Sequence, residues 1–174
     1  FHVGTFGKTK NQQFLIKLFS EYHKRRPSSK LLLCGDGDTR PLIEEQIGRL
    51  QLNDSVLLLG MVTNVPEILM AADVFVLPSL YEGFALSLVE AQASGLPAVS
   101  SAAAAAEAIF MNNCQVCVEF DTTKWMDAID RVYTIPTDRG AAADETIKAG
   151  FDIRTEAKKL QNMYIQRVVG ENRK

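Results

Sequence analysis

Pro78-Ser79-Leu80-Tyr81-Glu82-Gly83-Phe84-Ala85-Leu86-Ser87-Leu88-Val89-Glu90-Ala91 is the stretch around which the rest of the chain is arranged. It follows Val74-Phe75-Val76-Leu77, an apolar, β-branched run that reads as a buried strand stopped by Pro78. It leads into an expected helix from Phe84 to Ala93, ended by Gly95-Leu96-Pro97. A strand, a short turn and a helix place backbone N–H groups at the helix start, where anions bind well. Glu82 lies in the turn and Glu90 about two helical turns further on. Carboxylates at those two places suit a ligand with hydroxyls at both ends and phosphate between.

Upstream of this stretch, apolar strands alternate with amphipathic helices. Phe1 to Thr5 reads as a first strand, and Phe6 to Asn11 as a loop of small and basic residues. A helix follows with Phe14, Leu15, Leu18, Phe19 and Tyr22 on one face. Lys30 to Cys34 is a second strand, broken by Gly35-Asp36-Gly37. Asp38 or Thr39 caps the next helix, with Leu42, Ile43, Ile47 and Leu50 expected inward. Val56 to Leu59 is the third strand, closed by Gly60, and Asn64 begins a short helix through Met70.

Downstream, Ala98 to Ser100 reads as a fifth strand and Cys114 to Val118 as a sixth. Trp125, Ile129 and Val132 mark a helix from Thr123 to Tyr133, and another falls within 138–150. Asp152 caps a last helix whose Ile153, Ala157, Leu160, Tyr164 and Val168 share a face, before a polar tail from Gly170. Strands alternating with helices imply right-handed crossovers and a parallel sheet covered on both faces. The expected fold is therefore α/β, a Rossmann-like parallel sheet of about six strands. Ligands bind such sheets outside the carboxyl ends of the strands. The loops at Phe6–Lys10, Gly35–Gly37, Gly60–Thr63, Ser79–Gly83 and Ser101–Glu107 all follow strands, so they converge on one edge.

Length and composition exclude several classes. The 174 residues suffice for one well-packed domain, and a net charge of -2 without a basic, aromatic-rich patch argues against nucleic acid. No apolar run reaches the length of a membrane span, so direct membrane insertion is not expected. Cys114 and Cys117 form a C-x-x-C with only Cys34 as a further thiol, and His2 and His23 are not at metal-ligand spacing. No metal is expected, and an odd set of free thiols suits a reducing, cytoplasmic setting. The chain opens inside an apparent strand rather than at a methionine, which is expected of an excised domain.

Glu82-Gly83-Phe84-x-x-x-Leu88-x-Glu90-Ala91-x-Ala93-x-Gly95-x-Pro97 resembles the signature of the family 4 retaining glycosyltransferases, two glutamates separated by seven residues. The resemblance implies a GT-B enzyme, of which residues 1–174 would be the single nucleotide-sugar-binding domain, the C-terminal half. The N-terminal acceptor domain would be absent from this chain. It also implies a donor NDP-sugar, with UDP the expected nucleotide, and transfer of a hexose with retention to a glycan or lipid-linked acceptor in cell-surface polysaccharide synthesis. Any association with the inner face of the membrane would reside in the other half.

The resemblance assigns the site residue by residue. Glu82 would face the reacting carbon of the donor sugar, and Lys10 would contact the donor pyrophosphate. Glu90 would hold ribose hydroxyls, and amides from Gly83, Phe84, Ala85 and Leu86 would meet the distal phosphate. Gly35 belongs to a Gly-x-Gly that serves either a tight turn or ligand approach. Met61 and Val62 would flank the base, and Glu107 matches a loop glutamate after strand five. A cation and a helix N-terminus together neutralise a diphosphate, so no cofactor or metal is expected. Two departures stand out: Thr5 occupies the place of a phosphate-binding Arg, a loss for which Lys8 would have to compensate, and Ala102 to Ala106 fill a loop that is glycine-rich in relatives. They support an alternative, a degenerate non-catalytic nucleotide-binding or assembly module of the same fold. An epimerase or phosphorylase of this fold is a weaker third reading: the epimerases carry a different helix signature, and the sequence offers no identifiable cofactor lysine for a phosphorylase.

Overall fold

The computed structural model describes residues 1–104 and 106–171, with only the backbone of 168–171. Its elements run β1 (His2–Val3), α1 (Gln12–Arg25), β2 (Leu31–Cys34), α2 (Arg40–Arg49), β3 (Val56–Gly60) and α3 (Val65–Ala71). They continue as β4 (Phe75–Leu77), α4 (Leu86–Ala93), β5 (Ala98–Ser101), β6 (Cys114–Cys117), α5 (Thr122–Thr134), α6 (Ala142–Lys148) and α7 (Ile153–Glu171). Single 3₁₀ turns cover Lys8–Lys10 and Ala106–Ala108.

All strand pairs are parallel, but the ladder is not one uninterrupted sheet. β1-β2-β3 and β4-β5-β6 form two three-stranded sheets, a correction to the expected single sheet of about six strands. The two meet edge to edge at β1 and β4. There the Phe1 nitrogen donates to Val74 O (2.8 Å) and Val76 N–H to Phe1 O (2.9 Å). Val76 O then turns to the ring of His2, whose Nδ1 lies 2.9 Å away. A side chain thus takes the carbonyl that the next ladder bond would use, and the regular pattern stops. The spatial order is 3-2-1-4-5-6, with its reversal point between β1 and β4, where α/β sheets open their ligand crevice.

Alternation along the strands builds two cores. Leu31 and Leu33 of β2, Val76 of β4 and Val99 of β5 pack on one side with Leu15, Ile16 and Phe19 of α1, Ile43 and Ile47 of α2, and Trp125 and Ile129 of α5. Their neighbours Cys34, Phe75, Leu77 and Ala98 face the other side, against Leu69 of α3 and Leu88, Val89 and Ala91 of α4. Burial on both faces is why these strands are apolar throughout rather than alternating.

Several local expectations change. Leu42 and Leu50 are not inward: Leu42 lies off the Ile43–Ile47 stripe, and Leu50 is the residue after the last turn of α2; both are exposed. Thr39 holds the N-cap position of α2 without a side-chain cap bond, and its hydroxyl is buried with no partner among the described residues. α5 begins one residue early because Asp121 caps it, accepting from Lys124 N–H at 2.9 Å. Asp152 caps α7 as expected, through Thr155 N–H at 2.9 Å. The α7 face carrying Ile153, Leu160 and Tyr164 is exposed, since no described element covers it. The Val168 side chain, Ala105 and the tail from residue 172 lie outside the described residues.

Candidate donor site at the β1–β4 junction

The loops after β1, β2 and β3 are fastened to one another through their backbones. Gly4 N–H donates to Cys34 O (3.0 Å), Phe6 N–H to Asp36 O (2.9 Å) and Gly35 N–H to Gly60 O (2.8 Å). Crossing the junction, Leu80 N–H donates to Thr9 O at 2.7 Å, so the turn after β4 rests on the turn after β1. That bond brings two residues separated by 72 positions face to face. Lys10 Nζ lies 2.6 Å from Glu82 Oε1 in a salt bridge whose carboxylate side chain is only 7% exposed. The same oxygen accepts from the Ser79 hydroxyl, also at 2.6 Å. Ser79 is fully buried, and its own carbonyl accepts from Ser101 Oγ at the end of β5.

His2 lies behind this pair. Since Val76 O is an acceptor only, Nδ1 must carry the proton, which leaves Nε2 to accept from Gln12 Nε2 at 3.3 Å. Gln12 also donates to Thr5 O at 3.0 Å, so the imidazole holds the loop that carries Lys10. Burial pushes the His2 ring down to about 4 from 6.5; the Val76 bond opposes it, while the Phe1 ammonium and then Lys10 add to it. The unfolded chain therefore binds a proton near pH 6.5 that the fold refuses until about pH 4, and low pH favours unfolding. Stability gains nothing from this ring above pH 6.5 and loses about 3 kcal/mol as pH falls to 4. Urea midpoints of wild type and His2→Gln between pH 7 and 4 measure it: the variant starts lower but lacks that part of the slope. Equal slopes would show that His2 is not held neutral.

α4 begins at Leu86, two residues later than its sequence suggests, so Glu90 stands about one turn inside it. The amides of Gly83, Phe84, Ala85 and Ser87 take no hydrogen bond among the described residues, whereas Leu86 N–H is turned to Phe84 O at 2.9 Å. Three of the four expected phosphate-facing amides are thus open at the turn, and Ser87 adds a fourth. Glu90 lies on the exposed side of α4 without a side-chain partner among the described residues, and desolvation holds its carboxyl above the ordinary range. Phe84 is half-exposed, its ring 6.0 Å from Phe151, which packs in turn on Phe110 at 5.2 Å.

The remaining sequence candidates fall into two groups. Met61 is 82% exposed beside Gly60, while Val62 packs against the core that contains Leu88 and Val89 of α4. Glu107 is exposed in the 3₁₀ turn and bonds to none of the other candidates. Its loop is held instead by Gln92 of α4, which donates to Ala108 O (2.7 Å) and accepts from Phe110 and Met111 N–H (3.0 Å each). Thr5 is exposed and offers only its carbonyl to this network. Burial raises the Cys114 thiol to about 11 and also raises Cys34 and Cys117, so all three are neutral packing groups. Among the described residues no three His, Cys, Asp or Glu side chains are grouped to hold a metal ion.

Residues 1–134 match the model of a known family, described as glycosyl transferases group 1. The chain belongs to that family. It is 34% identical over 166 residues to the putative glycosyltransferase EpsF of Bacillus subtilis (strain 168), covering 94% of this chain and 43% of the relative. It is 33% identical over 159 residues to the UDP-Gal:alpha-D-GlcNAc-diphosphoundecaprenol alpha-1,3-galactosyltransferase of Escherichia coli, covering 83% of this chain and 39% of the relative. The chain thus spans less than half the length of these glycosyl transferases. Among solved structures, the pneumococcal O-GlcNAc transferase GtfA, in complex with UDP and GlcNAc, superposes with a TM-score of 0.82. The superposition covers 95% of this chain and 35% of that one at 22% identity, a likeness that shows a shared α/β fold over that part of a GT-B neighbour. No described helix of this glycosyl transferase chain is long and apolar enough to cross a membrane.

Two residues at the centre of the site, His2 and Ser79, were absent from the sequence candidates. His2 carries no sequence signal beyond a polar residue inside an apolar strand. Ser79 had one: a hydroxyl three residues before the signature glutamate, in a turn too short to carry it away from the carboxylate.

Proposed function

We propose that the chain is the donor-binding domain of a retaining glycosyltransferase that moves a hexose from an NDP-sugar, UDP-sugar being the first candidate, to a glycan or lipid-linked acceptor. The observation that carries the reading is the Lys10–Glu82 pair across the β1–β4 reversal point, beside the open amides of the α4 turn. One cation, one carboxylate and a set of free N–H groups match the diphosphate and the sugar of such a donor in turn. Lys10 would pass from Glu82 to the diphosphate, where with the amides it offsets the charge that develops on the leaving group without a metal or cofactor. Glu82, released, would face the anomeric carbon and its hydroxyls, and Glu90 would take the ribose. The Escherichia coli relative, named for a UDP-Gal donor and a diphosphoundecaprenol-linked acceptor, supports a UDP-sugar and a lipid-linked acceptor. The share of the relatives' length that is matched supports an acceptor domain elsewhere in the protein; a role in cell-surface polysaccharide synthesis is part of the same proposal. Three unpaired thiols fit a cytoplasmic setting.

Glu90→Ala is expected to weaken UDP binding by about 1–3 kcal/mol, the cost of leaving ribose hydroxyls unpaired. Calorimetric titration of UDP, GDP and ADP into both proteins tests this and ranks the bases. The exposed Thr5, where a guanidinium would be expected, favours a second reading as a non-catalytic module. No heat with any of the three nucleotides would decide for that reading.

A further inference from the structure

Resting on the donor-site reading above, we propose that Ser79 is the positioning residue for Glu82, and that Ser101 sets Ser79. The β4–β5 ladder has Leu77 and Ser100 as its last partners, and β4 ends there, before Pro78. Past that point the Ser101 hydroxyl takes over, donating to Ser79 O at 2.5 Å. Both serines are buried, so neither hydroxyl has water as an alternative partner. With its backbone fixed, Ser79 donates to Glu82 Oε1 at 2.6 Å and closes a four-residue turn around the carboxylate.

Both donors to Glu82, Lys10 and Ser79, reach the same oxygen, and Oε2 takes no hydrogen bond among the described residues. The carboxylate is therefore held by one oxygen and presents the other. Glu82 needs such a hold because it lies in an irregular turn between Pro78 and Leu86, where no helix or strand fixes its direction. Lys10 cannot supply it throughout the reaction, since a diphosphate draws that ammonium away. Ser79 is neutral, buried and attached to β5, so it is the anchor that stays when the donor enters.

In the full-length enzyme, Ser79→Ala is expected to lower kcat by roughly 10- to 100-fold, with the donor KM within about twofold of wild type. In the Glu82→Gln background the same change should cost nothing further, because the group it positions is gone. A loosened fold would instead lower kcat by the same factor in both backgrounds, and that result overturns the proposal. So does wild-type kcat in Ser79→Ala when Glu82→Gln is crippled. Wild-type kcat in Glu82→Gln itself would overturn the donor-site reading and leave the two failures distinct. Should Ser79→Ala not fold, Ser101→Ala keeps the Ser79 hydroxyl but frees its backbone. It is expected to lose roughly 3- to 10-fold in kcat, and no loss there refutes the relay.

Discussion

Glu82→Ala is expected to abolish sugar transfer in the full-length enzyme, by at least about 10³-fold in kcat, while leaving nucleotide affinity within about threefold of wild type. The asymmetry follows from where the carboxylate is. Its charge is 7% exposed, with Lys10 at 2.6 Å, so in the free protein it competes with a diphosphate for that ammonium. On the proposed donor site, removing it deletes the group that would face the sugar and at the same time frees the cation that would grip the nucleotide. A variant whose role was only to hold the fold would lose both functions together. Transfer assays alongside calorimetry with UDP separate the two. Loss of nucleotide binding equal to the loss of transfer would mean that Glu82 is an element of the scaffold. Unchanged transfer would remove it from the site.

The parts of this arrangement legible in the sequence are those fixed over short distances. Pro78 stops a strand and Gly95 ends the turn–helix unit that follows it, Asp152 announces the cap of α7, and strand-then-loop order alone sends Lys10 and Glu82 to one edge. Position across the sheet was less legible. Nothing in Phe1-His2-Val3 says that the imidazole would leave its strand's ladder for Val76 O, so the interruption between the two sheets could not be foreseen. Apolar spacing placed Ile43 and Ile47 correctly but not Leu42, one residue off the stripe. In α7 the spacing picks out a face without saying what covers it. Thr39 shows the same limit for capping: the residue type suits the position, but its N-terminal turn is held instead by Arg40 N–H to Gly37 O at 3.0 Å.

Gly35→Ala is expected to prevent the domain from folding, with a loss above about 4 kcal/mol, comparable to the whole stability of a domain of this size. The φ of Gly35 is +135°, which side-chain-bearing residues rarely adopt, and a Cβ there would lie 2.0 Å from Gly4 O and 2.9 Å from Gly4 C. Neither neighbour can retreat. Gly4 is tied to Cys34 O, and Gly35 N–H is tied to Gly60 O, so three strand ends would have to separate together. Gly37 repeats the arrangement two residues on, with Phe6 O 2.4 Å from the position of its missing Cβ. The Gly-x-Gly is thus required by the chain's own backbone, whatever else approaches it. Gly83 provides the contrast, because a Cβ there meets nothing within 4 Å and its φ is not in the left-handed region. Gly83→Ala should therefore stay within about 1 kcal/mol of wild-type stability, and any loss of nucleotide affinity it shows reports on the ligand rather than the fold. Urea unfolding of both variants is the test. A folded Gly35→Ala with a near-wild-type midpoint would mean that the loops after β1 and β2 are not locked together, and the position of Lys10 would lose its physical basis.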